Sequence, residues 1–358
     1  MERAFPALRG KLPHVELASL PTRVYRLANL QADLGAKSLW VKRDDESCRY
    51  YGGNKPRKLE FLLGDAIGRG KHTVLTNGGI GTNHGLATTI CARALGLKTI
   101  LLLLRQPLTA AVRNNLRRDF AAGAEMYYAP TVAGLIARGL RVAGAALLRN
   151  ELPYIIPTGG TSKVGVLGYV NAAFELREQI GAGEMPEPDY IFVPVGSGGT
   201  LAGLVLGTKL AGLHTSVVGV MVTDVLAPTP TRLAWLANRT MRLLRQRAPE
   251  LAPVQIVAAD FPMIHGYLGA AYGAPTAAGR EAQERMLRRE DIQLDTTYSA
   301  KCVAAIIDAV QAPPYREANV LFWNTYSSVD VDKQLEPLPD YRQLPQPFHQ
   351  FFTGPLEE

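Results

Sequence analysis

The chain is organised around one stretch, Gly52-Gly53-Asn54-Lys55-Pro56-Arg57-Lys58-Leu59-Glu60. The two glycines permit a backbone that other residues resist, Asn54 suits a turn or an N-cap, and Pro56 suits the first helical position. Apolar residues then recur at helical spacing, which predicts a helix over 59–67. Lys55 is therefore expected at a helix start, where the helix dipole disfavours a cation by about 0.3–1 kcal/mol. Burial would lower the pKa of this amine further, and a partly neutral lysine forms Schiff bases.

Length and composition indicate a globular chain of about two domains. The 358 residues are 47% apolar and 20% charged, which suits a large core and an ordinary surface. Cys48, Cys91 and Cys302 are far apart and form neither a disulfide framework nor a metal-binding pattern. Residues 1–12 lack the apolar core of a signal peptide, and every apolar run is too short to span a bilayer. We therefore expect a cytoplasmic protein with no membrane partner and no metal.

The net charge of +7 raises the possibility of nucleic-acid binding. The clearest basic run consists of Arg239, Arg242, Arg245 and Arg247. This run lies on a predicted helix without any nucleic-acid motif, so a solvated helix face explains it and no nucleic-acid partner is expected. A modest positive charge also suits an enzyme that binds a phosphorylated cofactor and a carboxylate substrate.

Short apolar strands alternate with helices along most of the chain. Strands are predicted at 38–42, 73–76, 99–104, 125–128, 154–156, 190–195, 216–222 and 319–323. Helices are predicted between them, for example over 132–148. The alternation predicts an α/β fold in which parallel-rich sheets are flanked by helices. The tail after Asp330 has no clear periodicity.

The loop Gly196-Ser197-Gly198-Gly199-Thr200 follows a predicted buried strand and opens a helix. Backbone N–H groups in such a turn bind a phosphate, aided by the helix dipole. A Rossmann site fits less well, because the spacing is not Gly-x-Gly-x-x-Gly and no clear acidic ribose partner follows about 20 residues later. A P-loop fails because no lysine follows Gly199. A purely structural turn remains an alternative.

A second loop, Asn77-Gly78-Gly79-Ile80-Gly81-Thr82-Asn83-His84, also leads from a predicted strand into a helix. Free N–H groups at that helix start suit a carboxylate, and the Thr82 hydroxyl can donate a hydrogen bond. The alternative is that Thr82 or Asn83 caps its own helix. His84 is expected to be a packing or helix-surface residue.

Together with Lys42-Arg43-Asp44-Asp45, these segments resemble the pyridoxal-phosphate enzymes typified by 1-aminocyclopropane-1-carboxylate (ACC) deaminase and D-cysteine desulfhydrase. In that family the lysine directly after Gly-Gly-Asn holds the cofactor. The resemblance therefore assigns pyridoxal 5′-phosphate to Lys55 rather than to Lys58, which competes for the role. From the turn alone, an ordinary surface lysine would be the commoner case.

The resemblance covers about residues 18–328 and implies a two-domain, fold-type-II, tryptophan-synthase-β-like enzyme. The smaller α/β domain is expected at 59–172, and the larger cofactor-binding domain at 1–58 plus 173–358. The active site is expected in the cleft between them, where cofactors are commonly bound. A homodimer is also expected.

The same resemblance implies roles for the loops. The cofactor phosphate is assigned to Gly196, Ser197, Gly198, Gly199 and Thr200. Thr82 takes the place of a serine that binds substrate and shuttles a proton, and Asn83 is expected to contact substrate and the cofactor's 3′-oxygen. Gly81 replaces a glutamine. Thr161, in the loop Pro157–Ser162, is a candidate for the substrate carboxylate, although a plain strand-to-helix turn explains this loop equally well.

Two tyrosines and a serine complete the assigned site. The segments Gly266–Pro275 and Asp295–Lys301 resemble family segments that each carry one active-site tyrosine, here Tyr272 and Tyr298. Near the charges of the cofactor such a tyrosine would have a lowered pKa and transfer protons, although buried tyrosines are more often core residues. Ser299 takes the place of the partner of the pyridine nitrogen, which is a glutamate in ACC deaminase. A serine hydroxyl is expected to face a largely neutral nitrogen, a weaker electron sink.

One segment departs from the family pattern. Where the family has His-Thr-Gly-Gly, this chain has Asn324-Thr325-Tyr326-Ser327. Thr325 is retained and is expected to contact the cofactor. Tyr326 and Ser327 replace glycines, so we expect a narrowed or reshaped pocket.

The expected reaction is β-elimination and deamination of a small amino acid, as in D-cysteine desulfhydrase, giving a keto acid and ammonia. Lys55, Thr82 or a tyrosine would remove the proton. The weaker electron sink at Ser299 favours elimination over ring opening. Three alternatives stay open: ACC-deaminase-type ring opening, β-replacement or racemisation in a specialised pathway, and a catalytically silent protein that kept the fold for binding.

Overall fold

The computed structural model describes residues 1–225 and 227–356. The strands are β1 (Val24–Arg26), β2 (Ser38–Lys42), β3 (Thr73–Gly79), β4 (Lys98–Leu104), β5 (Glu125–Ala129), β6 (Tyr154–Ile155), β7 (Tyr190–Val195), β8 (Ser216–Met221), β9 (Met263–Ile264) and β10 (Asn319–Trp323). The helices are α1 (Ala28–Leu34), α2 (Lys55–Gly68), α3 (Asn83–Ala94), α4 (Ala110–Ala121), α5 (Val132–Leu148), α6 (Leu167–Gly181), α7 (Gly199–Ala211), α8 (Pro230–Arg247), α9 (Ala277–Glu290), α10 (Ser299–Ala309), α11 (Val331–Leu335) and α12 (Gln350–Thr353).

The chain divides into two compact units. The first unit comprises Met1–Leu12, Ala18–Lys58 and Thr161–Ser328, and the second comprises Pro13–Leu17, Leu59–Gly160 and Val329–Glu358. The expected domains, 59–172 and 1–58 plus 173–358, remain a prediction. The two units differ from them mainly in grouping the C-terminal segment with the second unit.

The first unit contains a six-stranded sheet in the order β1-β2-β10-β7-β8-β9. All its pairs are parallel except β1 with β2. Side chains such as Val41 of β2, Phe192 of β7 and Ile306 of α10 share one buried cluster. Continuous apolar strands are typical of parallel sheets covered on both faces, which explains why the sequence predicts these strands well.

Glycines let α7 approach α6 closely. A Cβ at Gly203 would lie 2.4 Å from the Cβ of Tyr169, and one at Gly207 would lie 2.6 Å from the Cβ of Ala173. Any larger residue at either position would push the helices apart. This packing determines where α7 begins, directly after the glycine loop of residues 196–200.

A buried ion network lies beneath the start of α2. Arg57 donates from two guanidinium nitrogens to Asp44, at 2.9 and 2.7 Å, and also pairs with Glu175 at 2.9 Å. Lys42 of β2 pairs with Glu175 at 2.5 Å. Arg57 and Lys42 hold the pKa of Glu175 down, to about 2, although burial alone would raise it. The network joins β2, α2 and α6 within the first unit.

The second unit contains a parallel four-stranded sheet in the order β5-β4-β3-β6. Its core includes Ile80, Leu101 and Val112, and the tail adds Phe348 and Phe351 to the same buried cluster. The tail therefore has packed structure, although its sequence shows no periodicity.

The α/β fold with parallel-rich sheets is confirmed. The predicted strands 38–42, 190–195 and 319–323 and the helix 132–148 have the observed bounds. The short antiparallel strand β1 was not predicted. Across residues 1–225 and 227–356, no helix is long and apolar enough to cross a membrane.

Candidate active site

Close backbone packing imposes glycine at two positions of the lysine turn (Gly52–Lys55). A Cβ at Gly52 would lie 1.9 Å from the carbonyl oxygen of Asp45. Gly53 has a φ of +82°, and a Cβ there would lie 2.6 Å from the carbonyl oxygen of Thr325. Such a φ favours glycine, and both contacts involve backbone atoms that have no freedom to move away.

The turn delivers Lys55 as the first residue of α2, with Pro56 second. The Lys55 Nζ donates to Asn54 Oδ1 at 2.7 Å, and Asn54 Nδ2 donates to Thr200 Oγ1 at 3.0 Å. Burial lowers the pKa of Lys55 to about 8, although the nearby Asp295 carboxylate acts in the opposite direction. More of this amine is therefore neutral near neutral pH than of an ordinary lysine, and hydrogen bonds connect it to the glycine loop.

The glycine loop (Gly196–Thr200) leads from β7 into α7. Gly198 has a φ of +83°, and a Cβ there would lie 2.4 Å from Leu233 Cδ2, so both conformation and space require glycine. Among the described residues, no side chain caps α7. The first N–H groups of α7 are thus available to an anion, which the helix dipole also attracts.

Two side chains that are distant in sequence lie against this loop. A Cβ at Gly199 would lie 2.9 Å from Thr161 Oγ1 and 3.3 Å from Lys58 Nζ. Thr161 also shares a hydrogen bond of 2.6 Å with the Ser197 hydroxyl. The Lys58 side chain is buried, and burial, together with the charge of Lys55, lowers its pKa well below the usual value. A buried amine beside free N–H groups suits a dianion such as a phosphate ester.

The two predicted tyrosines are adjacent. The hydroxyl oxygens of Tyr272 and Tyr298 share a hydrogen bond of 2.5 Å, and the Tyr298 ring packs against Gly196 of the glycine loop. Burial raises the pKa of Tyr298 well above its usual value and also raises the pKa of Tyr272. From the sequence we expected a lowered pKa beside the cofactor, but the surroundings that the chain itself provides act in the opposite direction. Both phenols are therefore neutral near neutral pH.

Ser299 is fully buried and forms a pair with Asp295. The Ser299 Oγ donates to Asp295 Oδ1 at 2.6 Å and accepts from the Asp295 N–H at 2.8 Å. A carboxylate only accepts, so the single hydroxyl proton is already used. The remaining lone pair of Ser299 can accept a hydrogen bond. This serine can therefore also receive an N–H from a protonated nitrogen, and the expectation that it faces a largely neutral nitrogen remains a prediction.

The second loop lies in the second unit. Thr82 is the N-cap of α3, and its Oγ1 accepts from the Gly85 N–H at 3.2 Å, so the capping alternative is observed. Capping uses a lone pair and leaves the Thr82 hydroxyl proton available. The side chain of Asn83, the first residue of α3, accepts from Asn115 Nδ2 at 2.9 Å. His84 is buried, which agrees with a packing role.

The segment that departs from the family pattern supports the lysine turn. Ser327 Oγ accepts from the Gly52 N–H at 2.9 Å, and Ser328 Oγ donates to the carbonyl oxygen of Asp45 at 2.9 Å. Asn324 is fully buried, and its Nδ2 has no hydrogen-bond partner in the described part of the chain. Ser327 therefore stabilises the lysine turn, whereas the expected reshaping of the pocket remains a prediction.

Residues 15–325 match the family described as pyridoxal-phosphate dependent enzyme. The chain belongs to this family. It is therefore a pyridoxal-phosphate-dependent enzyme, which confirms the cofactor and enzyme class that the resemblance implied.

Three named proteins are similar to this chain over nearly its whole length. A putative ACC deaminase from Pyrococcus abyssi is 33% identical over 89% of this chain and 93% of its own length. Nocardicin C-9′ epimerase from Nocardia uniformis subsp. tsuyamanensis is 33% identical over 92% of this chain and 97% of its own. D-cysteine desulfhydrase from Salmonella paratyphi C is 32% identical over 88% of this chain and 94% of its own.

Solved structures agree with this membership. The crystal structure of an ACC deaminase homologue has a TM-score of 0.76 and 29% identity, and the match covers 95% of this chain and all of that one. A fungal L-serine ammonia-lyase from Rhizomucor miehei, at 16% identity and a TM-score of 0.59, shares the fold.

The residues of the first unit fit pyridoxal phosphate. The cofactor needs a nucleophilic amine for its aldehyde and a cradle for its phosphate. Lys55 offers an amine with a pKa of about 8, and the uncapped start of α7 together with Lys58 would form the cradle. The buried, unpartnered Nδ2 of Asn324 is a further donor in the same unit.

Sequence reasoning missed three contributors: Lys58 at the loop, Asp295 behind Ser299, and Asn115 beside Asn83. The i, i+3 spacing of Lys55 and Lys58 places both on one side of α2, and this signal could have indicated a joint role. Asn115 had no signal in the sequence, because its partner lies on a different helix.

Proposed function

We propose that this enzyme catalyses β-elimination and deamination of a small amino acid, like the D-cysteine desulfhydrase relative. The Lys55 amine carries the proposal, because it has a pKa of about 8 and is connected through Asn54 to the glycine loop. A chain that only binds has no evident need for a buried lysine with such a pKa.

Lys55 is the proposed point of attachment and the main base. Pyridoxal phosphate, when bound, withdraws electrons from the substrate carbon that loses its proton. The Lys55 Nζ would remove the α-proton of the substrate. Asn54 Oδ1 accepts a hydrogen bond from this amine and so orients it.

The remaining residues bind and orient. Gly196–Thr200, Thr161 and Lys58 hold the phosphate, because all lie around the uncapped start of α7. The proximity of Thr161 to Ser197 favours this role over the expected contact with the substrate carboxylate. The assignment of the 3′-oxygen to Asn83 and a cofactor contact to Thr325 follows the resemblance, as does substrate binding by Thr82.

Tyr272 and Tyr298 form a proton-transfer pair in this proposal. Because burial keeps both phenols neutral, one can donate to a leaving group while it accepts from the other. A thiolate that leaves the β-carbon would receive its proton in this way. Thr82, with an unused hydroxyl proton, is the alternative donor.

Elimination is preferred over ring opening because no carboxylate occupies position 299. Asp295 would act on the pyridine nitrogen only through the Ser299 hydroxyl. A hydrogen bond between that nitrogen and a neutral hydroxyl is weaker than one with a carboxylate. The electron sink is therefore weaker than with a glutamate. A good leaving group tolerates this, because it carries the negative charge away itself.

The test is a comparison of keto-acid release from D-cysteine, L-cysteine, β-chloro-D-alanine and ACC. We expect a β-substituted alanine to be faster than ACC, with Lys55→Ala inactive as the control. Faster turnover of ACC would refute elimination as the main activity.

Epimerisation is the second candidate, because nocardicin C-9′ epimerase matches 92% of this chain. Proton removal and return by Lys55 and a second group would invert the α-carbon without loss of a substituent. Exchange of the α-hydrogen in deuterated water, without keto-acid release, would support this reading over elimination.

We further propose a homodimer located in the cytoplasm. Helix α5 exposes large apolar side chains, including Ile136, Leu140 and Leu148, and such surfaces are common at protein interfaces. Light scattering should give twice the chain mass of 38.9 kDa, and Leu140→Glu should shift it to the monomer. A wild-type monomer would refute the dimer.

A further inference from the structure

A chain of hydrogen bonds runs from the C-terminal segment to Asn83. The carboxylate of Asp332, in α11, accepts two hydrogen bonds from Arg118, at 2.6 and 2.7 Å. Arg118 also donates to Asn115 Oδ1 at 3.1 Å. Asn115 Nδ2 in turn donates to Asn83 Oδ1 at 2.9 Å and to the carbonyl oxygen of Gly81 at 3.0 Å. All five residues belong to the second unit.

Arg118 determines which atoms donate and which accept along this series of hydrogen bonds. A guanidinium only donates, so the amide oxygen of Asn115 must face it. The amide nitrogen of Asn115 then faces Asn83, which must present its own oxygen in return. Asn83 Nδ2 is left as a donor directed away from Asn115. Arg118, which is two hydrogen bonds away from Asn83, thus determines that a ligand meets the amide nitrogen of Asn83 and not its oxygen.

The C-terminal segment also contacts α4 at two arginines near Arg118. Arg117 donates to the carbonyl oxygens of Pro339, at 2.9 Å, and Leu338, at 3.3 Å. Arg113 donates to the carbonyl oxygen of Phe351 at 2.7 Å. The segment 329–358 lies beyond the residues 15–325 that match the family. Helix α4 is therefore held at several points by the C-terminal segment.

We propose that segment 329–356 orients the Asn83 amide through Asp332, Arg118 and Asn115, so that Asn83 donates to an oxygen of the cofactor. The inference rests on the role proposed above for Asn83. Asp332, Arg118 and Asn115 are positioning residues, because none of them is assigned a contact with the cofactor. The two hydrogen bonds from Arg118 also lower the pKa of Asp332, so the Asp332 carboxylate remains an acceptor.

The chain offers a matched pair of variants. Arg118→Met removes the donor that polarises Asn115, whereas Arg117→Met removes only bonds to tail carbonyls. Each variant removes two hydrogen bonds to the C-terminal segment, and the melting temperature of each apoprotein measures the resulting loss of stability. Titration of the apoprotein with pyridoxal phosphate, followed by visible absorbance, should give about 2- to 10-fold weaker binding for Arg118→Met, the value of one lost hydrogen bond. Arg117→Met should bind the cofactor as the wild type does.

A double-mutant cycle separates positioning from general loosening. In an Asn83→Ala background, Arg118→Met should cause no further loss of cofactor affinity, because the amide that Arg118 orients is absent. Arg118→Lys keeps a donor towards Asn115 and should recover most of the affinity.

Two results would overturn the inference, and they are distinguishable. Equal losses in Arg118→Met and Arg117→Met, or additive losses with Asn83→Ala, would show that the tail acts only on stability. Unchanged cofactor affinity in Asn83→Ala would overturn both the orientation of Asn83 by Arg118 and the cofactor contact of Asn83. The proposed function would still stand if the visible absorbance band of the cofactor depended on Lys55.

Discussion

Replacement of Lys58 by methionine should weaken cofactor binding through loss of a contact with the cofactor phosphate. The amine lies 3.3 Å from the position of a Cβ on Gly199, beside the proposed phosphate site. Burial lowers its pKa well below the usual value, so without an anion the charged form is unfavourable there. A phosphate dianion reverses this balance, because it favours the charged amine.

The expected magnitude follows from the kind of hydrogen bond that is lost. A bond to a charged group contributes about 1.5–3 kcal/mol, and each 1.4 kcal/mol is tenfold in affinity, so Kd for pyridoxal phosphate should rise about 10- to 150-fold. The melting temperature of the apoprotein is measured alongside, so that a loss of fold stability is separated from a loss of phosphate binding.

Pyridoxal, which lacks the phosphate, provides the sharpest assay. Lys58→Met should lower affinity for pyridoxal phosphate but leave affinity for pyridoxal unchanged in the same absorbance titration. Lys301→Met is the matched control, since Lys301 is also buried but donates to the carbonyl oxygen of Leu268 at 2.6 Å. An effect below about threefold on pyridoxal phosphate, or an equal effect on both ligands, would refute the reasoning.

Three further predictions follow from the same unit. The rate of cofactor capture by the apoprotein should rise with pH and level off above about 8, because the pKa of Lys55 is about 8 and only its neutral form reacts; stopped-flow absorbance measures this, and a flat profile would contradict it. Gly199→Val should weaken cofactor binding at least about tenfold by filling the space beside Thr161, and an unchanged Kd would make the loop a structural turn. Tyr298→Phe should lower kcat by about 10²-fold or more with little change in cofactor Kd, whereas an unchanged kcat would exclude it from proton transfer.

The sequence best predicts those elements in which a single local condition, such as burial or lack of space for a side chain, determines every residue. The strand 190–195 is apolar throughout because it is buried on both faces, and the lysine turn has its glycines because nearby backbone leaves no space for side chains. In such segments a short window of sequence contains the whole physical cause. The start of α2 at Lys55 was predictable for the same reason.

The parts that were not predictable depend on partners far away along the chain. Lys58 is important because α7 begins beside it, and Asn115 is important because Asn83 lies on a neighbouring helix. The tail has no periodicity because its residues pack individually into an existing core rather than forming a long amphipathic element. In each case the sequence supplies the residue type, but tertiary packing supplies the partner.

The pair of Ser299 and Asp295 illustrates how such a partner changes a chemical conclusion. Judged by residue type, a serine at this position indicates a neutral pyridine nitrogen and a weak electron sink. Its proton, however, is donated to Asp295, so the serine is polarised towards accepting a hydrogen bond. The expected sink is therefore intermediate, weaker than with a glutamate in direct contact but stronger than with an isolated hydroxyl. An intermediate sink is adequate for the loss of a good leaving group and also for proton exchange at the α-carbon. This is the physical reason why we propose elimination first and epimerisation second, ahead of ring opening.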